Sequence, residues 1–232
     1  MRYLEGEMVD QNPETEKPKS NPHREYLVRR NSARLAKVRS GELPPEQLAA
    51  EWADREIALE DQADHDSLTG LLNYQGFADA LTADLMIIQL YNIPAYLGFF
   101  DGDKLKKIND TIGKLAGNQV IQSYAKTMRQ IEALHTDIPF LMGRFGGDEF
   151  MLLVIGVDIK AAKAIFEEVR TTIPDRVKSS LNMPDLENTV SMGVVTIQPN
   201  DNAQTLLRRA DDQLKIAKME RNKVVFEGLP LL

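Results

Sequence analysis

From about residue 64 onward the chain alternates short apolar runs with helical stripes. Ala95-Tyr-Leu-Gly-Phe-Phe100 is continuously apolar, the mark of a strand buried on both faces. Ile138 to Met142 and Phe150 to Ile155 are two further runs around Gly146 and Gly147, and they predict a β-hairpin. Thr189 to Ile197 alternates Val190, Met192 and Val194 around Gly193, and Lys223 to Phe226 predicts a short closing strand. Helical stripes lie between these runs. Phe77, Leu81 and Leu85 form one, and Val120, Ile121, Tyr124, Met128 and Ile131 form another over about Asn118 to Leu134. Gly113 and Gly117 are predicted to break the chain before it. Ala161 to Ile173 predicts a third helix, and Thr205 to Met219 a fourth with Leu206, Ala210, Leu214 and Ala217 inward. Residues 174–187 hold two prolines and are predicted to be a loop.

The first 63 residues follow a different pattern. Residues 1–22 set three prolines among charged groups, which predicts a flexible tail. Residues 23–63 predict a helical segment interrupted at Ser40-Gly41, with Leu48, Trp52 and Leu59 on one stripe. That stripe either packs on the domain's own surface or serves as a stalk that pairs two chains; the helices are too short to show sustained heptads.

Charge and composition remove several classes of function. Asp and Glu outnumber Lys and Arg by 35 to 28, so the basic face needed for non-specific nucleic-acid binding is not expected. The chain has no cysteine, which excludes disulfides and thiolate metal sites. Three scattered histidines make a His-based metal site an unfavoured expectation. No apolar run reaches the roughly 18–20 residues of a membrane span, and no signal-peptide pattern opens the chain, so a cytoplasmic protein is expected.

Chemistry concentrates at two places. The first run ends in Asp101-Gly102-Asp103, followed by Lys104, Lys106, Lys107 and Asn109. A carboxylate at the end of a central strand is held firmly enough to ligate a metal, and nearby lysines suit phosphate. The second is the hairpin turn, where Asp148 and Glu149 follow Gly146 and Gly147. Adjacent like charges at an exposed tip destabilise the turn unless a cation offsets them. Each place also has a plainer reading, a solvated acidic hairpin and a charged surface loop. Lys218 and Arg221, near a helix C-terminus, could be dipole partners or phosphate ligands. If the two places meet, Asp101, Asp148 and Glu149 could hold two Mg²⁺ ions about 3.5–4 Å apart, the arrangement that clamps in-line displacement at phosphorus.

Over about residues 64–228 the chain resembles the diguanylate cyclase, or GGDEF-domain, family. The matching motifs are Asp66-x-Leu-Thr-Gly-Leu-x-Asn73, Asp101-x-Asp-x-Leu-Lys-x-x-Asn109-Asp-x-x-Gly113, Arg144-x-Gly-Gly-Asp-Glu-Phe150, Val190-Ser-Met-Gly-Val194 and Ala210-Asp211 with Ala217-Lys218, all in order. The resemblance implies an α+β, palm-like fold with a mixed, mainly antiparallel sheet flanked by helices, here spanning 64–232 with an N-terminal helical extension. It implies a reaction joining two GTP into cyclic di-GMP with release of two pyrophosphates, on a homodimer because each subunit holds one GTP. Cyclic di-GMP receptors would be partners only indirectly. It implies that Asp101 and Asp148 ligate Mg²⁺ (or Mn²⁺) with the Gly102 carbonyl, and that Glu149 assists the second ion or deprotonates the 3′-hydroxyl. Asn109 and position 118 would read guanine, Lys106, Lys218 and Arg221 would hold phosphates, and Gly146 and Gly147 would let the backbone approach the α-phosphate.

The chain departs from the family pattern in several places. Asn118 replaces the usual Asp, and an amide offers guanine N1 and N2 fewer acceptors. Lys114 replaces a His, and Tyr74-Gln75 replaces a basic pair. The usual Gly between Lys218 and Arg221 is missing. Asp137 and Phe140 occupy the positions of the family's inhibitory Arg-x-x-Asp motif, so that product site is not expected. The alternatives to an active cyclase are a catalytically weak GTP- or dinucleotide-binding regulatory module and a cyclase of altered base choice.

Overall fold

The structure, a computed structural model, describes residues 40–41 and 63–228. Ser40 and Gly41 form a turn, at the predicted interruption. The predicted tail, and the helical segment on either side of that turn up to residue 62, lie outside the described residues.

Among the described residues five strands, β1 (Ala95–Asp103), β2 (Phe140–Gly146), β3 (Glu149–Ile155), β4 (Thr189–Thr196) and β5 (Val224–Phe226), form one sheet in the order β2-β3-β1-β4-β5. Only the β4–β5 pair is parallel, so the sheet is mixed and mainly antiparallel, as expected. Among the described residues five helices flank it: α1 (Tyr74–Tyr91), α2 (Leu105–Ile112), α3 (Lys114–Leu134), α4 (Ile159–Leu181) and α5 (Ala203–Glu220).

β1 lies at the centre, which accounts for its unbroken apolar run. Its Leu97 and Phe99 join a cluster with Phe77, Leu81, Leu206 and Leu214 from α1 and α5. Tyr96 and Phe100 join the opposite cluster with Tyr124, Met128, Phe166 and Val169 from α3 and α4. α1 begins at Asn73, whose side chain accepts the Gly76 N–H at 3.0 Å and caps the helix.

Two predicted boundaries are corrected. Residues 174–181 are helical, because α4 continues through Pro174 to Leu181. An interior proline costs about 3 kcal/mol, but Ile173 and Val177 on either side of it are fully buried and offset that cost. Gly117 does not break the chain either: Gly113 does so alone, and Gly117 lies within α3. The side-chain amide oxygen of Asn109 presses on it so closely that an added Cβ would sit 1.9 Å away.

Candidate active site

The sheet brings the two acidic segments together. Asp101 pairs across strands with Glu149, and the Gly102 N–H donates to the Asp148 carbonyl at 3.2 Å. Phe100 and Phe150 stack beneath them at 5.2 Å. The two acids are less exposed than expected, although Gly147 at the turn is exposed: Asp148 and Glu149 are half-buried. Two contacts explain this. Arg144 Nη1 donates to both Asp66 carboxylate oxygens at 2.9 and 3.0 Å, while its Nε and Nη2 donate to the Gly147 carbonyl at 3.0 and 2.7 Å. Phe145 packs edge-on against Tyr74 and Phe99. Gly147 adopts a positive φ of 52°, and a side chain there would be strained even though the space beside it is open. Gly146 also faces open space.

The Asp101 charge acts on both of the other acids. Burial raises the Asp148 pKa, and the Asp101 charge raises it further. Burial also raises Glu149, followed by the charges of Asp101 and Asp148. Burial raises Asp101 despite an opposing hydrogen bond from Lys218. Burial together with neighbouring like charge marks carboxylates sharing one low-dielectric patch, the setting in which a cation binds strongly.

Lys218 occupies part of that patch. Its ammonium donates to the Asp101 carboxylate, to Asp103 Oδ1 at 2.9 Å, and to the Gly102 carbonyl at 3.3 Å. Among the described residues no three acid, His or Cys groups are placed to hold a metal ion, and Asp101 pairs with Lys218. The donor set nonetheless suits a hard divalent cation: carboxylates plus a main-chain carbonyl, already gathered around one positive charge.

A cavity of about 430 Å³ opens beside these acids, lined by Gly102, Lys104, Lys106, Asp148, Lys218 and Arg221. Lys106, Lys218 and Arg221, expected to bind phosphate, therefore share one cavity. Lys104 and Lys107 instead pair with Glu187 at 2.8 and 3.4 Å. Asn109 on α2 lies against Gly117 of α3, and exposed Asn118 follows directly. Both amides thus border the junction of α2 and α3.

Asp103, Asp66 and Arg144 are the site residues to which sequence reasoning assigned no role. The signal for Asp103 was available, because residues two apart on a strand share a face, and Asp101 and Asp103 both end β1.

The sequence model described as "Diguanylate cyclase, GGDEF domain" matches residues 63–223. The chain belongs to the GGDEF-domain family. Diguanylate cyclase DgcM of Escherichia coli K12 is 34% identical over 176 residues, covering 73% of this chain and 40% of that protein. Probable diguanylate cyclase DgcT of the same strain is 34% identical over 166 residues, covering 70% and 35%. The chain thus spans well under half of these relatives' length. The coiled coil and GGDEF domain of DgcB from Caulobacter crescentus, solved with c-di-GMP, align with a TM-score of 0.69 at 24% identity over 84% of this chain and 98% of that one. Diguanylate cyclase SiaD from Pseudomonas aeruginosa, solved with its activator SiaC, aligns with a TM-score of 0.62 at 27% identity, covering 88% and 77%.

The GGDEF domain is strained where its glycine is missing. Arg221 follows α5 at φ 61° and ψ 170°, a region essentially reserved for glycine, and Asn222 also has positive φ. Holding a side chain there costs about 1–3 kcal/mol. Arg221→Gly is therefore expected to raise stability by about 1 kcal/mol, read as a higher urea midpoint, while weakening nucleoside triphosphate binding. No helix among the described residues is long and apolar enough to cross a membrane.

Proposed function

We propose that this GGDEF domain is a diguanylate cyclase that condenses two GTP into cyclic di-GMP and two pyrophosphates. The single observation that carries the reading is the meeting of Asp101, Asp148 and Glu149 at one sheet end, beside a cavity lined by Lys106, Lys218 and Arg221. Asp101, Asp148 and the Gly102 carbonyl would hold Mg²⁺, which when bound lowers the pKa of a hydroxyl and neutralises phosphate charge. Glu149, with its raised pKa, is suited to receive a proton from the 3′-hydroxyl. That oxygen forms a bond to the α-phosphorus of a second GTP as the bond to pyrophosphate breaks. Lys106, Lys218 and Arg221 orient the triphosphate, and the open space beside Gly146 and Gly147 lets the α-phosphate approach the backbone. Two such steps close the ring, so two domains must face each other, and the active form is a homodimer in a cytoplasmic setting.

The second reading is a weakly active or base-relaxed GGDEF module, favoured by Asn118 and by the strained Arg221. Incubation with Mg²⁺ and GTP, ATP or both separates the readings. Cyclic di-GMP supports the first, a mixed dinucleotide supports relaxed base choice, and binding without turnover overturns the enzymatic reading. Asn118→Asp supplies a second acceptor for the guanine N1–H and N2–H donors. It is expected to improve kcat/KM for GTP over ATP by roughly tenfold to a hundredfold, the worth of about 1–3 kcal/mol for one otherwise unpaired donor.

A further inference from the structure

Asp103 is the most enclosed acid of the site, with a side chain that exposes no surface. Its carboxylate accepts from Thr189 Oγ1 at 2.7 Å, Ser191 Oγ at 2.9 and 3.0 Å, the Asn222 N–H at 3.2 Å and Lys218 Nζ at 2.9 Å. Burial alone would raise its pKa, but these bonds outweigh burial and hold it below the ordinary aspartate value. Rotating this carboxylate would strand several buried donors, so it is a fixed point.

Lys218 is held differently. It reaches the acids on a flexible stem from α5, and its ammonium is a compact point charge. One side of that ammonium faces the fixed Asp103. The other faces Asp101 and the carbonyls of Asp101 and Gly102, the last two at 3.4 and 3.3 Å. Asp101 and the Gly102 carbonyl are oxygen donors of the kind a divalent cation takes. An ammonium and a divalent cation cannot share those oxygens at contact distance, because the two charges repel without screening there.

We propose that Lys218 is the resident cation of the Asp101–Gly102 seat, and that Asp103 is the positioning residue that retains the ammonium when a divalent cation displaces it. The inference rests on reading Asp101 and Gly102 as metal ligands. In the metal-free domain the ammonium offsets the repulsion among Asp101, Asp103 and Asp148. On exchange it leaves Asp101 and Gly102, pivots about Asp103 and turns toward the cavity that Lys106 and Arg221 line. Loading the cation and presenting Lys218 to a triphosphate then become one event. Lys218 serves as placeholder in one state and phosphate ligand in the other.

The test uses the full chain, free of nucleotide, with Mn²⁺ as the probe and free Mn²⁺ read by electron paramagnetic resonance. Lys218→Met removes the competitor and is expected to tighten Mn²⁺ binding at least tenfold; Lys218→Gln serves if the Met variant does not fold. Arg221→Gln removes a nearby charge that acts on Asp101 through space without a hydrogen bond to the seat, and is expected to shift affinity less than threefold. Unchanged or weaker binding in the Lys218 variant, or equal shifts in both variants, would overturn the exchange. In wild-type protein labelled with ¹⁵N-lysine, the Lys218 Nζ signal, assigned by its loss in the variant, is expected to move on adding Mg²⁺ yet stay protected from solvent exchange. Merging with the solvent-exposed lysines would remove the role given to Asp103. Dinucleotide synthesis is assayed separately. Mn²⁺ exchange without cyclic di-GMP retires the enzymatic reading alone, and cyclic di-GMP with unchanged affinity in the variant retires this inference alone.

Discussion

Replacing Asp148 by alanine is expected to lower the rate of pyrophosphate release from GTP by about a thousandfold, while the domain stays folded. Loss of a metal ligand removes several kcal/mol of transition-state charge stabilisation, and about 4 kcal/mol corresponds to that factor. The fold should tolerate the change, because the Asp148 contact to Gly102 runs through its main-chain carbonyl and is independent of the side chain. Stability should rise slightly at neutral pH. Asp148 has a raised pKa in the folded state, so its ionised form disfavours folding above that pKa. The advantage of Asp148→Ala should therefore fade as pH falls through the raised pKa, and vanish below the ordinary aspartate value of 3.8, where the carboxyl is protonated in both states. Thermal denaturation at pH 7 and pH 3.5 reads the sign. Retained turnover in the variant would remove Asp148 from the metal site.

The largest effect on stability is expected at Gly193, in the middle of β4. A Cβ there would lie 2.1 Å from the Leu214 nitrogen, 2.3 Å from the Ala210 carbonyl oxygen and 2.5 Å from the Gln213 carbonyl carbon. All three are backbone atoms of α5, which cannot swing aside as a side chain can. Gly193→Ala must push α5 off the sheet, opening the packing of Leu206, Ala210 and Leu214. A loss of at least about 3 kcal/mol is expected, at the upper end of overpacking and a large part of the 5–15 kcal/mol that holds a domain together. Gly146→Ala, which meets open space without a positive φ, should change stability by less than about 0.5 kcal/mol. Urea denaturation of the pair checks both. Comparable losses would mean that α5 does not press on β4 as described. Lys218 lies on α5, so partial displacement of the helix should also weaken nucleotide binding.

The chain itself determined the strands and most of the helices, and where the acids stand along them. The buried run of β1, the hairpin around Gly146 and Gly147, and the helical stripes are local periodicities, and a period survives whatever the rest of the chain does. The five ordered motifs placed Asp101, Asp148 and Glu149 in a known family. Local reasoning failed where distant atoms decide. Pro174 signals a break, yet α4 continues because Ile173 and Val177 bury themselves in a core assembled from other elements. Gly117 signals a break, yet it is helical and small because Asn109 of α2 lies against it.

Only the tertiary structure settled what the charged residues touch. Arg144 braces the turn by reaching Asp66, 78 residues earlier. Lys104 is spent on Glu187, 83 residues later, whereas Lys218 lies 117 residues from the Asp101 carboxylate it holds. Asp103 is an anchor because Thr189, Ser191 and Asn222 surround it. Side-chain partnership depends on separation in space, and charges far apart along a chain carry no mark of whom they will meet. A stripe of apolar residues declares its own face, but a carboxylate has no role until the fold supplies its neighbours.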